Sequence, residues 1–143
     1  MEYHTNTSIK HRLLCIPVGA GFPLVDCFFL MESNPMTLVG LRMTTTGGCH
    51  TTASTVRQFT ERMAAYFNGW EELSRDMSWG IIYVQQTDSM PLTEWQRCDV
   101  DNSNNVSDDE SRGIAAFWKE EVRQYQVSIS KKVLENVVGV LTS

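Results

Sequence analysis

Apolar residues come first in short runs and only later at helical spacing. His11 to Val18 is a short apolar run around Pro17, which suits an edge or terminating strand, and Gly19-Ala20-Gly21 supplies a turn. Leu24 to Met31 (L-V-D-C-F-F-L-M), bounded by Pro23 and by Ser33-Asn34-Pro35, reads as a strand. Thr37 to Thr44 (T-L-V-G-L-R-M-T) reads as its partner, and the short Glu32 to Met36 connection makes the two a hairpin. The period then changes. Thr55-Val56-Arg57-Gln58 has the form of a capping box, Val56, Phe59, Met63, Tyr66 and Phe67 recur at helical spacing, and Asn68-Gly69 is a stop.

Trp70 to Ser78 predicts another turn or two of helix, Trp79 to Gln85 a buried strand, and Thr93 to Val100 a further strand. Asp99 to Ser107 is a polar loop; it lacks the Gly and Glu that a calcium-binding loop needs in register. Ser107-Asp108-Asp109-Glu110 is a second capping box, followed by Ile114, Phe117, Trp118 and Val122 on one helix face. Tyr125 to Ser130 alternates as a closing strand, and Lys131 to Val140 is a final helix or a tail. The order is β-β-β-α-(α)-β-β-α-β, which predicts an α/β or α+β fold: a mixed β-sheet flanked by helices.

Length and charge narrow the function. Residues 1–143, 16.3 kDa, are one domain's worth of chain, too short for a motor or a polymerase. No G-K-[ST] follows the glycines at 19–21, so a Walker-type nucleotide site is not expected. The net charge of −5 argues against a strongly basic nucleic-acid coat. That charge is uneven: residues 1–70 carry five basic groups against four acidic ones (+1), and residues 71–143 carry seven against thirteen (−6). An anionic ligand such as nucleic acid would therefore meet the N-terminal half, where Arg42, Arg57 and Arg62 supply a marginal basic face; Arg57 and Arg62 otherwise read as solvated helix charges. No apolar run spans a bilayer, the first residues do not resemble a secretory leader, and Cys15, Cys27, Cys49 and Cys98 form no C-x-x-C pair. The expectation is an intracellular chain with free thiols and no membrane partner.

Four residues carry the candidate chemistry. Asp26 is a carboxylate inside an apolar strand, which is costly unless it is exposed at a cleft rim, paired, hydrogen-bonded or on a metal. Arg42 lies among apolar neighbours on the next strand, so an Asp26–Arg42 ion pair explains both residues economically. Thr44 shares Arg42's face, because side-chain direction has period two. His50 stands in the polar loop Thr45 to Thr52, either solvated or near a cleft at that end. A hairpin with an acid on one strand and two alternate residues on the next has the layout of restriction-endonuclease-like nucleases. There an acid and an E-x-K triplet hold a divalent cation that activates water.

The segments P-L-V-D-C-F-F-L (23–30), N-P-M-T-L-V-G-L-R-M-T-T (34–45), H-T-T-A-S-T-V-R-Q-F-T (50–60), A-A-Y-F-N-G-W-E-E-L-S-R-D-M-S-W (64–79), I-I-Y-V-Q (81–85), W-Q-R-C-D-V (95–100) and the stretch from Phe117 to Ser128 resemble the C-terminal region of trypanosome retrotransposon hot spot proteins. The resemblance covers nearly the whole chain. It implies a restriction-endonuclease-like core, a nuclear or perinuclear location, a multigene family, and an upstream ATPase region that these residues do not include. Carried over, Asp26 takes the strand-acid position and would be the metal ligand, Arg42 the E/Q position, Thr44 the Lys position and His50 the downstream His. Arg42 departs from that pattern by placing a cation where a magnesium ion would sit, and Thr44 is no base. The expectation is a catalytically degenerate nuclease-like domain, an interaction module with nucleic-acid or protein partners. The alternatives are a magnesium-dependent DNA/RNA phosphodiesterase, or a truncated copy with no biochemical role of its own.

Overall fold

The structure, a computed structural model, describes residues 14–17, 21–33, 35–44, 50–86, 94–101, 106–130 and 132. β1 (Cys27–Met31) and β2 (Thr37–Met43) form the predicted antiparallel hairpin, with Cys27 opposite Leu41 and Met31 opposite Thr37. β3 (Thr51–Thr52) leads into α1 (Ala53–Tyr66). α2 (Trp70–Ser74) follows, and then β4 (Ser78–Gln86), which lies parallel to β2. β5 (Cys98–Asp99) pairs parallel to β3 in a small second sheet. α3 (Asp108–Glu121) runs directly into β6 (Val122–Ile129), which lies parallel to β4. The main sheet has the order β1-β2-β4-β6. This is the mixed sheet with helices that the periodicities predict.

The core forms on one face of that sheet. The parallel register aligns Leu38 with Trp79 and Gly40 with Ile81, so even positions of β2 and odd positions of β4 share a face. Leu38, Trp79, Ile81 and Tyr83 are buried there against Phe59 and Met63 of α1. Trp79, 4% exposed, meets a ring from each helix. Its ring centroid is 5.5 Å from Phe59 of α1, 6.3 Å from Trp70 of α2 and 5.5 Å from Phe117 of α3, all edge-on. Phe28 of β1 adds edge contacts with Phe59 and Phe67 at 6.1 and 6.2 Å. Gly40 is required for close approach: a Cβ there would stand 2.5 Å from Cγ1 of buried Val25. The opposite face of the sheet carries an open cavity of about 570 Å³, lined by Phe29, Met31, Val39, Ile82 and Tyr125.

Several boundaries differ from the sequence expectation for local reasons. The strand expected from Leu24 starts at Cys27, because Leu24 holds a left-handed backbone (φ 73°) that breaks the extended run. The cap of α1 is Thr52, not Thr55: the Thr52 hydroxyl accepts from the Thr55 amide at 3.3 Å. Asp101 adds a carboxylate to the same turn, accepting from the Ser54 amide at 2.9 Å and from its hydroxyl. Gly69, in the left-handed region at φ 71°, lets the chain turn between α1 and α2. α2 stops at Ser74, short of the expected Ser78, which opens β4. The strand expected over Thr93 to Val100 shrinks to two residues. Val122, expected on the helix face, opens β6 opposite Trp79. The expected first strand, His11 to Val18, shows an antiparallel bridge from Cys15 to Phe28, and all of the expected final helix or tail except Lys132 lies outside the described residues.

If Trp79 ties the three helices to the sheet, Trp79→Ala lowers unfolding free energy by about 3–5 kcal/mol. Urea denaturation followed by circular dichroism checks this; a loss below about 1 kcal/mol contradicts it.

Candidate functional site

The candidate residues meet the structure at the end of the sheet where β2 and β4 finish. Arg42 aligns with Tyr83, and Tyr83 with Gln126. Asp26 lies one residue before β1, in the register position facing Arg42. One row across four strands thus reads Asp26, Arg42, Tyr83, Gln126. One step further on, Thr44 follows β2 beside Gln85, which aligns with Ser128.

The expected Asp26–Arg42 ion pair does not form. Asp26 is exposed, and its Oδ2 accepts from the Met43 amide at 2.7 Å while its own amide donates to the Leu41 carbonyl at 2.9 Å. Its side chain thus supplies an acceptor to β2 where β1 has not yet begun, so the acid is explained by a strand-end hydrogen bond. Arg42 is half-buried and has no ion-pair partner among the described residues. It lies near Tyr83. Burial pushes the Tyr83 phenol up to about 12, and the Arg42 charge opposes that rise. The Thr44 amide donates to the Val84 carbonyl at 2.9 Å, whereas its buried hydroxyl oxygen has no hydrogen-bond partner.

His50 belongs to a different cluster. Its Nδ1 accepts from the Arg97 amide at 3.0 Å, and its Nε2 lies 3.5 Å from a Glu94 carboxylate oxygen. An accepting Nδ1 places the neutral ring's proton on Nε2, toward Glu94. The imidazole therefore anchors the approach to β5. Asp26, Arg42 and Thr44 share the end of the hairpin; His50 is held by residues 94–97.

Behind the row lies a polar network that the sequence reading did not single out. Tyr83, 2% exposed, donates its hydroxyl to Gln124 Oε1 at 3.0 Å. The same Oε1 accepts from the Gln96 amide at 2.9 Å, and Gln124 Nε2 donates to the Gln96 carbonyl at 2.8 Å. Trp118 Nε1 also donates to that carbonyl at 2.8 Å. One glutamine side chain thus holds both backbone groups of Gln96. Gln126 bonds Gln85 in parallel, at 2.5 Å. The available signal was alternation: Tyr83 and Gln85 on β4, Gln124 and Gln126 on β6, are polar residues two apart on one face.

Two further findings bear on binding. Arg57, expected as a solvated charge, bonds Glu61 at 2.8 Å and also Glu110 of α3, so its charge is offset within a helix–helix contact. Among the described residues no group of three or more His, Cys, Asp or Glu converges as metal ligands would, and no helix is long and apolar enough to cross a membrane. Comparison with family models, with curated proteins and with solved structures finds no match for this chain.

The raised Tyr83 value has a pH signature. Its folded value, about 12, stands above the ordinary 10.0, so the neutral phenol is favoured in the fold. The stability this contributes is complete below pH 10 and is lost as pH rises through 12. The difference in urea midpoint between wild type and Tyr83→Phe should be constant below pH 10 and should move against the wild type between pH 10 and 12. A difference that stays flat across that window contradicts the assignment.

Proposed function

We propose that this chain is a nuclease-like domain of the retrotransposon hot spot type that has lost the means to hold a catalytic metal, and that it works as an interaction module in nuclear nucleic-acid metabolism. The observation that carries the reading is the end of the hairpin. Asp26, the one carboxylate of the row, is engaged on the Met43 amide, and the position facing it holds Arg42. The order of an antiparallel hairpin, a helical crossover and a strand parallel to β2 agrees with a restriction-endonuclease-like core and supports it.

These residues do not fit a magnesium ion. Such an ion needs several oxygen ligands in near-octahedral geometry, and Arg42 offers none. Two like unit charges about 4 Å apart repel by about 4 kcal/mol at an effective dielectric near 20, and a divalent ion doubles that. The guanidinium suits a phosphate oxygen instead, through its planar fork of donors. With Arg57 committed to carboxylates, Arg42 is the cation of the N-terminal half best placed to meet an anionic partner at this end of the sheet.

Oligonucleotide binding measured across a salt series tests this reading. Wild type should bind weakly, with affinity falling as salt rises, and Arg42→Ala should reduce the slope of log affinity against log salt by about 1. No cleavage should follow magnesium addition. Magnesium-dependent cleavage abolished in Asp26→Ala would overturn the proposal in favour of an active phosphodiesterase. An absence of oligonucleotide binding at low salt would leave a protein as the partner.

A further inference from the structure

Among the described residues β6 is the last strand of the sheet, and no strand pairs with its outer side. It pairs with β4 over eight positions, from Val122 opposite Trp79 to Ile129 opposite Gln86. Among the described residues no backbone group of 122–129 bonds to any other segment. The opposite edge is different: Cys15 and Phe28 exchange two backbone hydrogen bonds across β1, at 2.7 and 3.1 Å. Natural sheets protect an open edge with proline, interior lysines, bulges or brevity. β6 has none of these: it runs eight residues without proline, and its one charge, Arg123, lies near the start. On the face away from the helices it exposes Tyr125 by 49% and Val127 by 43%.

We propose that this edge pairs antiparallel with the same edge of a second copy of the chain, joining two four-stranded sheets across a two-fold axis. The sequence of β6 is self-complementary in the register centred on Gln126. A two-fold perpendicular to the sheet keeps each residue on its own face, so Tyr125 comes opposite Val127 of the second copy and Gln124 opposite its Ser128. The exposed apolar side chains then meet each other twice, an aromatic against a β-branched residue each time. Polar residues meet polar residues on the helix-side face. Arg123 faces Ile129 of the second copy, so the strand's only charge never meets its like. A one-residue slip in either direction would break this matching and place the apolar pair against polar residues.

Sedimentation velocity on the full 143-residue chain over the micromolar range reads the association directly. The expected species has twice the 16.3 kDa chain mass. Val127→Lys should weaken association at least about tenfold while the far-ultraviolet circular dichroism stays unchanged. Met31→Lys, on the same sheet face but on β1, should leave the dimer intact. Gln126→Cys gives a register-specific readout in an otherwise native strand. The two Gln126 positions face each other on the axis within disulfide reach, so mild oxidation should yield a covalent dimer that wild type does not form. A wild-type chain that stays monomeric, a dimer indifferent to Val127→Lys, a dimer lost in Met31→Lys, or no crosslink in Gln126→Cys would each overturn the proposal.

Discussion

Trp79 meets an aromatic ring from each of the three helices while its backbone sits between β2 and β6. The core depends on that arrangement. A sheet buries one face only if something covers it, and the cover here comes from helices separated by up to about forty residues of sequence. The Trp79 ring gives them a common contact. The edge-on geometry adds to the burial, since aromatic pairs of this kind contribute about 0.5–1.5 kcal/mol beyond area alone. Because the helices share this face, β2, β4 and β6 keep a fixed register, and that register places Arg42, Tyr83 and Gln126 in one row.

The end of the sheet is held by hydrogen bonds more than by apolar packing. Gln124 grips both backbone groups of Gln96, receives the Tyr83 hydroxyl, and shares the Gln96 carbonyl with Trp118. Unpaired, these buried groups would each cost about 1–3 kcal/mol, so the network fixes residues 94–99 against β6 as a unit. That unit in turn positions His50 through the Arg97 amide. Asp101 then satisfies the first turn of α1 and receives no free role of its own, since its amide donates to Ser111 at 3.0 Å. The four residues that the sequence offers as one catalytic group are thereby divided. Three stand at the hairpin end, and the histidine is held by residues 94–97.

Much of the architecture was legible because its periods are clean. The hairpin showed in two runs joined by five residues, and α1 and α3 in apolar spacing after capping residues. The errors have local causes. Thr51, Thr52, Ser54 and Thr55 offer several cap candidates in a row, and only the backbone geometry selects Thr52. Val122 lies four residues after Trp118, so it fits a helical stripe as well as a strand; the chain passes from helix to strand there with no loop residue between. Asp26, Arg42 and Thr44 stand at one end of the hairpin, although Asp26, expected inside the first strand, precedes β1 and Thr44, expected inside the second, follows β2. What sequence could not supply was the partner of each. Asp26 bonds a backbone amide seventeen residues away, and Gln124 a backbone twenty-eight residues away. Such contacts leave no periodic trace.

The proposed loss of metal binding rests on Arg42 facing an engaged Asp26 at the end of the hairpin. Manganese titration followed by electron paramagnetic resonance tests it most directly. Wild type should show no bound manganese, and Arg42→Glu, which places an acid opposite Asp26, should show a new bound signal. A bound signal already present in wild type and lost in Asp26→Ala would contradict the proposal.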